Sequence, residues 1–295
     1  MKPSTNRRTF LAATAALLLS TGGVARAGQR HDAASAKKQF EKIESDLNGR
    51  LGVFALDTAN GAQLAYRADE RFAFCSTFKV IAASAILAKS GQTAGLMERR
   101  IRYKQRDLVN YSPVTKQHVD TGMTVAELCA AALRYTDNTA VNLMIEILGG
   151  PAAVTAYAGA IGDKAFRLDR WETALNTAIP GDPRDTTTPL AMGRSLDRLL
   201  VGDALQPAQR AQLQDWMLGN ITGGARIKAA LPADWKIGDK TGTGDYGTAN
   251  DVAVLWPPGR APVVVAIYTT QHRKDAAPRD DVIASAARVV VDWLG

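Results

Sequence analysis

Histidine and cysteine are both scarce in this sequence. Its three histidines, His31, His118 and His272, lack the Gly-x-Ser-x-Gly and carboxylate context of a serine–histidine–aspartate triad. No His-x-His or Cys-x-x-Cys spacing suits zinc, so a metallo-hydrolase is disfavoured and neither a metal nor another cofactor is expected. No glycine loop cradles a phosphate, and no basic stripe with interleaved aromatics offers itself to nucleic acid. Past residue 27, no segment is long and apolar enough to anchor in a membrane. The two cysteines, Cys75 and Cys129, are too few for a disulfide framework.

What remains is an ordinary globular composition, 46% hydrophobic and 22% charged. At 295 residues the chain is long enough for a substantial core, as one large domain or two small ones. The formal charge of +7 is misleading. Residues 1–27 contain Lys2, Arg7, Arg8 and Arg26 with no acid, leaving a surplus of +3 for the rest. That leading segment reads as an address: a charged start, an apolar run from Phe10 to Leu19, and Ala25-Arg26-Ala27 as a small-residue cleavage pattern. Asn6-Arg7-Arg8-Thr9-Phe10-Leu11 is similar to a twin-arginine export signal, the alternative being a general secretory signal. Either way the mature protein, residues 28–295, is expected to be exported and periplasmic, and to act as a monomer.

The stretch Cys75-Ser76-Thr77-Phe78-Lys79 organises the remainder. A polar approach turns there into an apolar run, Val80 to Ala88, that reads as a helix buried on all sides. Ser76 falls at its N-terminus, where free N–H groups favour developing negative charge. Lys79 follows one turn on. A serine hydroxyl needs a proton acceptor before it can attack, and a desolvated lysine is one of the few groups able to serve. Taken alone the spacing is weak, since Ser35-Ala36-Lys37-Lys38 repeats it on a solvated helix face.

Along the chain, Ala33 to Leu47 has helical spacing, and Asn60-Gly61 marks a hairpin between Gly52–Thr58 and Ala62–Arg67. After Ser76 a mostly helical course of more than a hundred residues is expected. Thr124-Val125-Ala126-Glu127 is a capping box, and another helix should run from Asn138 to Leu148, ended by Gly149-Gly150-Pro151. Residues Gly162 to Pro189 carry no sustained period and read as a functional loop, pinned at its base by Arg170 with Asp185. Strand character returns over Trp235–Lys240, Asp251–Trp256 and Pro262–Thr270, before a helix from Asp280 to Leu294. Neither end could make a sheet alone. The α/β part is therefore expected to combine residues 28–67 and 220–295 around a helical part, residues 68–219, as one α/β catalytic domain.

Four separated stretches need one explanation: Ser76 with Lys79, Thr136-Asp137-Asn138, Glu172, and Lys240-Thr241-Gly242. Together with Arg170-Trp171-Glu172-Thr173-Ala174-Leu175-Asn176, they resemble the motifs of a class A serine β-lactamase from about residue 33 to the C-terminus. The resemblance implies an antiparallel sheet with the terminal helices packed on it, an inserted helical subdomain, and an active site between them. Ser76 would attack the lactam carbonyl of penicillins and cephalosporins, with the backbone N–H groups of Ser76 and Thr243 as oxyanion hole. Thr136 would pass a proton to the departing nitrogen, and Glu172 with Asn176 would hold the water that hydrolyses the acyl-enzyme. Whether Lys79 or Glu172 deprotonates Ser76 stays open. Lys240, Thr241, Gly242 and Thr243, helped by Arg226, would bind the substrate carboxylate. Asn138 would hold the side-chain amide, Tyr111 would wall the cleft, and Asp137 would cap the following helix.

Two rivals share parts of this pattern, a penicillin-binding D-Ala-D-Ala peptidase and a covalent β-lactam sensor; Glu172 in its loop motif favours the hydrolase. Thr136 departs from the family's usual serine. Each cysteine matches one half of a different family disulfide, with its usual partner replaced. The position of Cys75 pairs in some relatives with one that is Gly244 here, and that of Cys129 with one matching Ala83. Cys75 and Ala83 are eight residues, or about 12 Å, apart on a helix. Bridged Cα atoms lie within about 7 Å, so both thiols are expected to be free.

Overall fold

The computed structural model describes residues 32–295; residues 1–27, expected to be an export signal, lie outside the described residues. Helix α1 (Ala33–Leu47) begins where the Asp32 carboxylate accepts from Ala34 N. Strands β1 (Gly49–Asp57) and β2 (Ala62–Tyr66) form the hairpin expected around Asn60-Gly61. Then come β3 (Phe72–Ala73), a 3-10 turn over Cys75–Phe78, and α2 (Lys79–Ser90). The helical course expected after Ser76 is interrupted by residues 91–122, which hold only 3-10 turns and β4 (Arg100–Ile101) before β5 (Met123–Thr124). That stretch is rich in Gly and charge, with no apolar stripe to bury.

Helices resume as α3 (Val125–Arg134), α4 (Asn138–Leu148) and α5 (Pro151–Ala160). The capping box is formed: Glu127 N donates to Thr124 Oγ1, and Thr124 N to Glu127 Oε2. The long loop holds β6 (Thr186–Thr187) near its end, and from there follow α6 (Pro189–Leu196), α7 (Pro207–Leu218), β7 (Lys236–Gly244), β8 (Thr248–Trp256), β9 (Val263–Gln271) and α8 (Asp280–Leu294).

Five strands pair antiparallel in the order β2-β1-β9-β8-β7, which joins the two ends of the chain into one sheet. Side chains alternate between its faces. Leu51 and Val53 of β1, with Val265 and Ile267 of β9, meet Phe40 of α1 and Ile283, Val290 and Trp293 of α8. Phe54, Val264, Ala266 and Tyr268 point the other way, into the core that holds α2, α3, α4 and α6. Both faces are covered, which is why β9 reads as a continuous apolar run instead of an alternating one. Gly193 of α6 is required at one contact, because a Cβ there would lie 2.3 Å from Phe54 Cδ1. β7 runs on through Gly244 to pair with Thr248, beyond the expected limit at Lys240. A Thr-Gly-Thr-Gly segment has little strand propensity of its own, and the partner strand supplies the order.

Candidate active site

Ser76 sits in the 3-10 turn that delivers the chain into α2, about one turn before the helix proper. The preceding Cys75 adopts φ 45°, an uncommon conformation for a residue with a side chain. Behind the turn lies β7. A Cβ on Gly242 would stand 2.7 Å from Phe74 O and 3.2 Å from Ser76 N, so glycine lets strand and turn touch. Lys79 opens α2 and is completely buried. Its ammonium donates to Asn138 Oδ1 at 2.6 Å, Thr136 O at 2.9 Å and Thr136 Oγ1 at 3.2 Å, and pairs with Glu172 Oε1 at 3.2 Å. Burial pulls this lysine below its ordinary range, and the Glu172 carboxylate opposes that shift.

Thr136, in the sharp turn between α3 and α4, has φ 53°. Its hydroxyl oxygen accepts from Lys79 and, at 3.0 Å, from Lys240 Nζ. With both lone pairs facing ammonium groups, its proton is left to point into the cleft. Asp137 caps α4 by accepting from Ala140 N, and also takes Val114 N, Thr115 N and Thr115 Oγ1, as a buried structural carboxylate. The same junction holds the Tyr111 loop: Asn138 N donates to Tyr111 O and Asn138 Nδ2 to Asn110 O. Tyr111 itself stands exposed at the rim.

Glu172 arrives from the long loop and is 4% exposed. Ser76 Oγ donates to its Oε1 at 3.2 Å, and Asn176 Nδ2 to its Oε2 at 2.5 Å. Asn142, one turn past Asn138 on α4, holds the Glu172 backbone at both ends, accepting from its N–H and donating to its carbonyl. The expected pin at the base of the loop is present, with Arg170 Nε 2.5 Å from Asp185 Oδ2. On the opposite wall, Arg226 Nη2 donates to Thr243 Oγ1 at 2.7 Å, so that hydroxyl can turn its proton toward a ligand. Ser76, Tyr111, Thr136, Asn138, Asn176, Thr241, Gly242 and Thr243 line a cleft of about 350 Å³. A larger groove of about 710 Å³ beyond Asn142 and Trp171 contains none of these groups.

A family model described as "Beta-lactamase enzyme family" matches residues 35–294. β-Lactamase CTX-M-8 of Citrobacter amalonaticus is 53% identical over 97% of each chain. The carbapenem-hydrolyzing β-lactamase KPC of Klebsiella oxytoca is 55% identical, over 87% of this chain and 88% of its own. A mutant of the class A β-lactamase of the last common ancestor of Gram-negative bacteria superposes with a TM-score of 0.86 at 57% identity. That match covers 88% of this chain and 99% of the other. This chain belongs to the class A β-lactamases. A β-lactamase from Desulfarculus baarsii is similar at 62% identity, TM-score 0.89, over 90% of this chain and 99% of that one.

Within this β-lactamase, one residue sits differently from its expected place. Arg226 was expected to help hold the substrate carboxylate, but its guanidinium lies behind β7, 5% exposed. It donates to Asp280 Oδ1, Gly242 O and Asn250 O as well as to Thr243, so it reaches the cleft only through Thr243. Both cysteines are free and buried, as expected. Sequence reasoning missed Asn142 and Thr222. Asn142 could have been found from its i, i+4 spacing to Asn138. Thr222, whose hydroxyl meets that of Thr241 at 2.6 Å, carries no local signal.

Proposed function

We propose that this β-lactamase opens the ring of penicillins and cephalosporins through an acyl-enzyme on Ser76, with Glu172 as the group that takes the serine proton. The contact between Ser76 Oγ and Glu172 Oε1 carries this reading. The Lys79 ammonium has its protons directed to Asn138, Thr136 and Glu172, and among the described residues no hydrogen bond joins it to Ser76. Ser76 Oγ bonds to the lactam carbonyl carbon while its proton passes to Glu172. The oxyanion faces the Ser76 and Thr243 N–H groups. Thr136 then gives its proton to the leaving nitrogen as the C–N bond breaks, and one of its two lysine neighbours restores it. Glu172 gives up the serine proton to the lysine side by way of Lys79, 3.2 Å from its Oε1, which restores both the carboxylate and the ammonium. In the second half, Glu172 and Asn176 hold a water whose proton Glu172 accepts as the water attacks the ester, and that proton passes to Ser76 Oγ as the C–O bond breaks.

Lys240 and the Thr243 hydroxyl meet the substrate carboxylate, and Thr241, whose hydroxyl contacts Thr222, lines the subsite beside them. Burial and the nearby Lys79 charge hold Lys240 well below its ordinary range, so an anionic ligand relieves an unfavourable charge. Residues 1–27 direct the enzyme to the periplasm, where it works as a monomer. The test is penicillin turnover by purified protein, with rapid quenching and mass spectrometry of the serine adduct. A hydrolysed product with no adduct on Ser76 under any quench time would refute the covalent route.

A further inference from the structure

Behind the Lys-Thr-Gly strand lies a pair of acids that the reaction does not use. Asp239 of β7 and Asp251 of β8 are 3% and 0% exposed. In the strand register Thr241 faces Asp251 and Asp239 faces Ala253, which makes the two acids diagonal neighbours on one face. Their side chains are within hydrogen-bonding contact of each other. The segment 220–227 closes over them. Asn220 Nδ2 donates to Asp239 Oδ2 at 2.6 Å, and Ile227 N donates to Asp251 Oδ2 at 3.1 Å. A Cβ on Gly223 would lie 1.9 Å from Asp239 Oδ2, so the backbone itself seals that side. Asp251 Oδ1 receives no N–H from the surrounding protein.

Two ionised carboxylates cannot touch in a site this dry without one taking up a proton. We propose that Asp239 and Asp251 share a single proton, carry one negative charge between them, and act together as the counter-charge that positions the Lys240 ammonium for the substrate carboxylate. The proposal rests on Lys240 meeting that carboxylate. Burial pushes both acids above the usual carboxylate range, Asp251 well above it. The charges facing the pair are Lys240, Lys228 and Arg226. Those facing Lys240 are the two acids in its favour, with Lys79 and Arg226 against it. Asp239 also continues outward through a chain of bonds to the cleft. Thr222 Oγ1 donates to Asn220 Oδ1 at 2.8 Å, so its contact with Thr241 must draw its proton from Thr241. The acid pair therefore reaches the Thr241 hydroxyl through hydrogen bonds, and the Lys240 ammonium, on the opposite face of β7, through its charge.

A shared proton makes an unusual demand on substitution. Asp239→Asn or Asp251→Asn alone replaces an acid–carboxylate pair with an amide–carboxylate pair, and the charge stays at one. Only the double variant removes it. In infrared spectra at neutral pH the resting wild type should show the carbonyl band of a protonated carboxylic acid, lost in each single variant. KM for benzylpenicillin should rise as pH climbs through the Lys240 titration, because a neutral amine no longer holds the carboxylate. Both single variants should keep that rise where the wild type has it. The double variant should begin it about one pH unit lower, so that KM there is about tenfold higher at a common alkaline pH. No acid band in the wild type, or a single variant that shifts the rise as far as the double one, would overturn the proposal. If the double variant does not fold, the infrared band and the two single profiles still decide. A wild type that hydrolyses no penicillin would instead defeat the reading of the cleft and leave the band to judge the shared proton.

Discussion

The two walls of the cleft are built by opposite means. β7 presents Lys240 to Thr243 from a nine-residue strand whose backbone is paired to β8 along its length. The facing loop, residues 162–189, presents Glu172 with almost no ladder behind it. Its backbone is satisfied by side chains instead. Asp185 accepts from Asp169 N and Arg170 N as well as from Arg170 Nε. Asp163 accepts from Ala165 N, Phe166 N and Ser195 Oγ, and Asn142 holds Glu172. The loop is tied to the Ser76 turn as well, since Phe74 N donates to Asp185 O. Buried side chains can thus aim a carboxylate as firmly as a sheet does, but each contact is then a single point of failure.

The sharpest way to break the symmetry between the walls is at the tip of the loop. Glu172→Gln keeps the shape and removes the proton acceptor, so penicillin turnover should fall by about 10²–10⁴-fold. Mass spectrometry should then find the acylated enzyme; undiminished turnover would remove Glu172 from the mechanism. Next is the base of the same loop. Asp185→Ala leaves Arg170 and two N–H groups unpaired, and should cost about 3–5 kcal/mol of stability, as breaking a buried pair does. Thermal melting measures the loss, and a melting temperature close to that of the wild type would mean the loop is held by other contacts.

Where the walls meet, a Cβ on Gly244 would lie 2.6 Å from Asn176 O and 2.7 Å from Cys75 Sγ. Gly244→Ala should therefore push the loop off the strand and destabilise by about 1–3 kcal/mol. The loop should also become the first site of proteolytic cleavage. Cleavage elsewhere would show that strand and loop are coupled less tightly than the contact implies. The smallest effect is expected at Thr136, where a β-branched residue occupies φ 53°. Thr136→Ser relieves that backbone strain and frees χ1, and should raise turnover by roughly two- to threefold, whereas Thr136→Val should lose most activity. Equal kinetics for Thr136 and Ser would show the methyl to be harmless, and an active Val variant would assign the relay elsewhere.

The elements readable in the sequence were those with a local cause. α1, α4 and α8 have amphipathic or buried faces and defined ends, and their limits agree with expectation. The hairpin at Asn60-Gly61 and the capping box at Thr124 are set by side chains within four residues of one another. The irregular stretch 91–122 has no apolar stripe to bury. The glycine-rich end of β7 has little strand propensity of its own and is ordered by its pairing with β8, from Gly242 facing Asn250 to Gly244 facing Thr248. Both were misjudged for want of a local signal. Arg226 meets the cleft through Thr243, a placement the sequence does not show. A cation near a Lys-Thr-Gly strand reads as a ligand for anions, and only packing shows that its donors are committed to Gly242, Thr243, Asn250 and Asp280.

The sequence by itself determined the family and the chemical types in the cleft, because both follow from residue identity and spacing. The resemblance to the family's disulfide positions then implied that both thiols are free. Tertiary structure alone decided which groups touch. It set Ser76 against Glu172 instead of Lys79, directed two ammonium groups at one threonine hydroxyl, and sealed Asp239 against Asp251. These pairings join residues up to about a hundred positions apart. Chain connectivity carries no information about such distances until the sheet closes and water is excluded.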